Sequence, residues 1–220
     1  MSRLPALLLL LVTIAFGIAP FVTPPFTGYD PALFPVEIGR PAIQPAGYAF
    51  SIWSAIYLWL IVHAGFGLWK RAEDAAWDTA RLPLTVAIAV GVVWLWIAGQ
   101  SAIWGTVTIW IMAGAALAAF LRAPTEPDRW LLSGPLAIFA GWLTAAAAVS
   151  TGVLIAGYGV MSNAGAALAM LGLVLVIALV VQGQKPRMPV YGLTVVWALV
   201  GVIVVNWGDL PMVAWAAVAG

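Results

Sequence analysis

The sequence has no cysteine, a single histidine and few charged residues, and each scarcity closes a class of function. Without cysteine there is no disulfide, no thiolate nucleophile and no Cys-ligated zinc or iron–sulfur centre, and the redox compartment is left open. Charged side chains make up 8% of the 220 residues, whereas an ordinary soluble domain carries about a quarter. A net charge of +1 provides no basic surface for nucleic acid. A glycine-rich phosphate loop, a metal-ligand cluster and a nucleophile–base pair are also missing. No carboxylate sits inside an apolar run, where the proton or sodium couplers of active transporters belong. The sequence therefore argues against an enzyme and against an ion-driven pump, and assigns no catalytic residue, metal ligand or required cofactor.

What is abundant is apolar. Hydrophobic residues make up 64% of the chain, and mean hydropathy is +1.06. The charges fall in short segments between apolar runs, as expected where each would cost several kcal/mol at the bilayer centre. A helix needs about 20 apolar residues to cross the hydrocarbon. On that length the spans are 4–23, 47–69, 83–101, 103–121, 131–157, 163–183 and 190–207. Residues 210–220 are too short to span and read as a half-helix or the start of an eighth crossing, so seven is the minimum. Arg3 ahead of an apolar core resembles a signal peptide, but Pro20 disfavours cleavage after Ala19 and the run continues to Val22, so a retained first helix is expected. The fold class is all-α: a polytopic transmembrane helical bundle. "QSAIWG" and "GYGVMSN" leave so little between spans that the helices they join must be antiparallel neighbours.

With seven spans, Arg3, Lys70, Arg71, Arg81, Arg122, Arg129, Lys185 and Arg187 share one face, and the other holds Arg40. The positive-inside rule makes the first face cytoplasmic, so the expected location is the cell (inner) membrane with a cytoplasmic N-terminus and the 24–46 loop outside. That loop, "PPFTGYDPALFPVEIGRPAIQ", is stiffened by prolines, each of which fixes its own φ and lacks an N–H donor. It is also too apolar to be a solvated linker. A lid over the bundle mouth is one reading, a loop resting among headgroups the other.

The aromatic residues are the second signal. Among thirteen tryptophans, Trp96, Trp104 and Trp207, with Tyr48 and Tyr158, lie near outer span ends; Trp69, Trp77, Trp130 and Tyr191 lie near inner ones, as an interfacial belt requires. The belt leaves Trp53, Tyr57, Trp94, Trp110, Trp142 and Trp197 within the membrane. An indole N–H or phenol O–H there wants a backbone carbonyl or a ligand. Phe50, Trp53 and Tyr57 share one helix face, and rings converging from several helices make a flat, apolar slot with a few donors. Gly141, Ala145, Ala148 and Gly152 form a small-residue face for close packing, within the chain or between protomers. His63 reads as a structural hydrogen-bonding group, a haem-ligand role being the alternative. Gln100, Ser101, Thr144, Ser150, Thr151 and Asn163 are isolated polar groups that spacing cannot pair.

"QPAGYAFSIWSAIYLWL", preceded by the proline-rich loop, resembles the start of the second helix in the TspO/MBR family, the tryptophan-rich sensory proteins related to the translocator protein. The family pattern there is Pro-Pro-x-Trp-x-Phe and then Trp-x-x-Leu-Tyr. Pro45, Tyr48, Phe50, Trp53, Ile56 and Tyr57 occupy those places, with Ala46 for the second proline and Tyr48 for the tryptophan. Pro135, Phe139 and Trp142 match the fifth helix, and Trp94 and Trp96 the paired tryptophans of the third. Two asparagines of the pattern are absent, replaced around Gly91 and Val92 and at Ala147.

The resemblance covers residues 1–157 as a five-helix domain, with residues 158–220 as two or three additional C-terminal transmembrane helices. It implies a planar hydrophobic ligand, a porphyrin or other tetrapyrrole, haem-like, or a sterol-like molecule. The implied site is Tyr48, Phe50, Trp53, Tyr57, Trp94, Trp96, Phe139 and Trp142, in a pocket closed by the first loop, and the protein would act as sensor, regulator or carrier. The implied partners are the lipid bilayer, this ligand and a second copy in a homodimer. A facilitative transporter of a small neutral or amphipathic solute and a membrane scaffold are the alternatives.

Overall fold

The computed structural model describes residues 3–220 and, among them, contains helices and turns with no strand. Eight α-helices follow in order: α1 Leu4–Val22, α2 Ile52–Lys70, α3 Ala75–Gln100, α4 Ala102–Arg122, α5 Ser133–Gly157, α6 Asn163–Gln184, α7 Val190–Asn206 and α8 Pro211–Ala219. A 3-10 turn, Gly47–Ser51, leads into α2. The first six helices are long and apolar enough to cross a membrane. The expected seventh crossing, α7, has 17 residues, about 25 Å of helix. It still joins the two ends of the bundle: Gly192 bonds Gln182 near the end of α6, and Asn206 reaches Ala42 in the long loop. Residues beyond it form the nine-residue α8, packed on α7.

Side-chain caps set the joints. Ser101 alone separates α3 from α4, and its hydroxyl accepts from the Trp104 backbone N–H. Ser162 caps α6 in the same way, accepting from Gly165. Asp74 accepts from Ala76 and starts α3 at Ala75 rather than at the expected 83. The helix therefore runs through Pro83, which has no N–H to give the preceding turn. Arg81, expected in the 70–82 loop, consequently lies inside a helix at 4% exposure, just ahead of the apolar run. Its guanidinium is satisfied by the carbonyls of Arg71 and Ala72 and by the Asp78 carboxylate.

The central post is α5. Twenty of its 25 residues are buried, and it packs on α2, α4, α6 and α7. In lipid, helices associate by close packing rather than by the hydrophobic effect, so small residues are required at such contacts. A Cβ at Gly141 would stand 2.7 Å from the Tyr191 carbonyl oxygen of α7, and one at Gly152 2.9 Å from Ile43 of the long loop. The small-residue face thus packs within the chain. Gly91 of α3 likewise admits the Phe16 ring of α1, 2.5 Å from an added Cβ.

Two expected belt residues are core residues instead. Trp77 is 2% exposed, stacks on His63 at 4.9 Å and donates to Asp128. Tyr191 is fully buried, stacked on Phe120 with its hydroxyl 3.2 Å from that of Thr144. Each found a polar partner indoors, which removes the reason to sit at the interface. Buried His63 donates from Nδ1 to the Leu131 carbonyl at 2.7 Å, a structural bond that ties α2 to the α4–α5 loop.

At the same end Arg71 bonds Asp128 at 2.8 Å. The Arg71 hydrogen bond, helped by that of Trp77, holds the Asp128 carboxyl below its ordinary range against partial burial. Asp128→Asn keeps an acceptor for Trp77 and removes the charge. The unfolded carboxyl titrates near pH 4, roughly, and the folded one lower. The wild type should therefore be the more stable above about pH 4, with the gap closing as pH falls through the folded value. Thermal unfolding in detergent between neutral and acid pH measures this; a gap that widens on acidification contradicts it.

Candidate ligand cavity

The loop between α1 and α2 crosses the end of the bundle opposite this ionic cluster, and α6 and α7 hold its second half. Asn163, the first residue of α6, donates to the carbonyls of Ile38 and Arg40 and accepts from the Ala42 N–H. Asn206, the last of α7, donates to the Ala42 carbonyl. Arg40 donates to Val205 and pairs with Asp209 at 3.7 Å. Backbone bonds from Val36 to Gly157 and from Ala46 to Gly201 complete the clamp.

The first half of the loop is held differently. The Tyr29 hydroxyl lies 2.5 Å from the Ser150 hydroxyl, which lies 2.7 Å from that of Thr106, and Thr106 donates to the Ala102 carbonyl at 2.8 Å. A threonine has one hydrogen to give. The chain therefore runs one way: Tyr29 donates to Ser150, Ser150 to Thr106, and Thr106 to the carbonyl. Gly105 makes room for it, since an added Cβ would stand 2.7 Å from the Tyr29 hydroxyl. Burial pushes the Tyr29 phenol above its ordinary pKa, opposed by the bonds to Ser150 and Thr106, so it stays protonated as the chain needs. The Phe26 ring packs edge-on to Trp94 at 5.1 Å.

Beneath the loop lies a cavity of about 320 Å³, near the lower end of the range of roughly 300–1,000 Å³ common for ligand sites. Phe26, Tyr29, Ile43 and Pro45 roof it; Ala145 and Ala148 of α5 line its inner side. Trp94 of α3, Ile109 of α4, Leu171 of α6 and Leu199 of α7 wall it. Of the two readings of the loop, the lid is the observed one. The C-terminal helices belong to the cavity wall as well as to its clamp.

Among the residues singled out from sequence, Phe50, Trp94 and Trp142 line the cavity. Trp53, Tyr57 and Phe139 do not; they form a cluster around Phe16, with Trp53 edge-on to Trp142 at 6.2 Å. Tyr48, 44% exposed, packs on Trp197, and Trp96, 63% exposed, stands at the bundle surface. Phe26 and Tyr29 belong to the loop whose apolar character pointed to a lid, though neither was singled out as a site residue, and the α6–α7 walls were not anticipated. Ser150 was noted as a lone polar group, but its partner Tyr29 is 121 residues away, and no spacing rule pairs them. The indoles within the bundle differ in one respect. Those of half-buried Trp94 and Trp110 and of exposed Trp197 donate to Gly105, Thr151 and Ala49, whereas the buried N–H of Trp142 has no partner among the described residues.

The family model described as TSPO-like protein matches residues 7–220, a stretch that takes in the loop, all the cavity walls and the C-terminal helices. No curated protein and no solved structure matches the chain.

Tyr29→Phe should loosen the first half of the lid and spare the second, which Asn163 and Asn206 hold. One neutral hydrogen bond is worth about 1 kcal/mol, so opening should become about fivefold more frequent. Hydrogen exchange of residues 24–34 should rise by that factor while 36–46 stays unchanged. A uniform rise would mean that the lid moves as one piece.

Proposed function

The chain belongs to the TSPO-like protein family and is a multi-pass helical membrane protein, and from that premise we propose that it binds a planar hydrophobic ligand, tetrapyrrole or sterol-like, under the lid. The observation that carries this reading is the lidded cavity itself: it is lined almost wholly by carbon, with the Phe26, Phe50, Trp94 and Trp142 rings supplying flat contact surface. The unpartnered Trp142 N–H beside it favours a ligand that brings an acceptor, because an unmet buried donor is costly. No covalent step is needed, only apolar burial, ring contact and a few hydrogen bonds. The protein would act as sensor, regulator or carrier.

A second reading, facilitated passage of a solute, has less support. From Leu132 to Gly141 every residue is buried and none lines the cavity, so no opening continues along this half of α5. The cation-rich end, by the positive-inside rule, is cytoplasmic, which puts the lid on the outer face.

Protoporphyrin IX added to the detergent-purified protein should quench tryptophan fluorescence saturably. Phe50→Ala should weaken binding about tenfold or more, from the lost burial of one ring. Ala148→Leu, which fills the inner side of the cavity, should abolish it, and Trp96→Ala should leave it unchanged. Equal affinity in all four folded proteins would remove the cavity as the site.

A further inference from the structure

A second cavity, about 390 Å³, opens at the cation-rich end between the α4–α5 and α6–α7 loops. Arg122, Lys185 and Arg187 line it, with the Thr125 hydroxyl and no carboxylate. Elsewhere arginines are matched: Arg3, Arg40, Arg71, Arg81 and Arg129 each have an acidic partner. The three cations of this cleft have none among the described residues. The neighbouring Glu126 is turned to Arg129 at 2.8 Å.

Lys185 makes the imbalance physical. It is half-buried, its ammonium donates to the Ala123 carbonyl and lies 5.1 Å over the Phe120 ring, and burial lowers its pKa with no anion to oppose the shift. A cation drawn out of water without a counter-charge is an incomplete arrangement. A phosphate completes it, because it can meet two guanidinium groups and an ammonium at once.

We propose that this cleft binds the phosphate of an anionic phospholipid headgroup. Its position selects a lipid over a free anion. It lies at the ends of two membrane-spanning helices, α4 and α6, and Leu179 and Val180, within two turns of Lys185, are 65% and 58% exposed. Leu121 is part of the cleft lining, so acyl chains would meet apolar side chains on the same helices that carry the charges. The site is independent of the ligand cavity, which lies at the opposite end of the bundle.

The test measures binding of phosphatidylglycerol to the detergent-purified full chain, beside phosphatidylcholine with the same acyl chains and beside inorganic phosphate. Phosphatidylglycerol should bind the more tightly of the two lipids. The double variant Arg122→Gln/Arg187→Gln should weaken it about 25-fold, about fivefold for each cation near the surface. Arg3→Gln/Lys70→Gln removes equal charge from the same end and should stay within about twofold. Each variant's unfolding midpoint in phosphatidylcholine checks its fold, and the exposed single variant Arg187→Gln, expected to lose about fivefold, substitutes if the double variant is unstable. Equal losses in both double variants would reduce the effect to the diffuse field of the face and overturn the site. So would equal affinity for the two lipids, or inorganic phosphate binding as tightly as phosphatidylglycerol.

Discussion

Close approach to α5 is the constraint on which the rest of the molecule depends. Four helices pack on this one, and in a lipid environment only van der Waals contact and hydrogen bonds hold them there. Its glycines and alanines allow that contact. Gly141 meets the backbone of α7, Gly152 meets the lid at Ile43, and between them Ala145 and Ala148 line the cavity. The same residues that bring the helices together leave, where two alanines coincide with the turn into α2, too little side chain to fill the space. The cavity is a by-product of a small-residue post that has been roofed rather than filled.

The roof is asymmetric. Asn163 and Asn206 fix its second half to the ends of α6 and α7 by meeting carbonyls that a proline-rich loop cannot pair with itself, and the loop's Arg40 reaches back to the Val205 carbonyl of α7. Its first half rests on ring contacts and on one hydroxyl relay through Ser150 and Thr106. The cover is thus firm on one side and lightly latched on the other. α6 and α7 belong to the same structural unit as the loop: without them it has neither its clamp nor the cavity beneath it much of its wall.

The two ends of the bundle divide the polar work. The lid end sets hydroxyls and amides around an apolar space, with the Arg40–Asp209 pair at its clamp. The opposite end gathers the charges, where Asp128 serves Arg71 and Trp77 together, and Arg81 is buried only because two carbonyls and Asp78 surround it. In the first case the polar groups shape a cavity; in the second they hold loops against a headgroup region.

By itself the sequence determined the membrane class, the order of the helices and the stiffness of the first loop, because hydropathy, proline and charge act locally and are read one segment at a time. It also determined that aromatic rings would gather near the start of α2, and three of the eight residues singled out there and elsewhere do line the cavity. The capped starts of α4 and α6 lie within a residue of where the apolar runs begin, whereas Asp74 caps α3 eight residues ahead of its run, in a polar stretch that hydropathy does not mark as helix. Tertiary structure alone decided which rings face the cavity. Trp142 and Trp96 are equally aromatic, and only the packing of α5 against its neighbours puts one inside and the other at the surface. It also decided the latch and the clamp, because Tyr29 with Ser150 and Asn163 with Ala42 each join residues 121 apart. Such contacts exist only once the helices have closed around α5, and no local pattern encodes them.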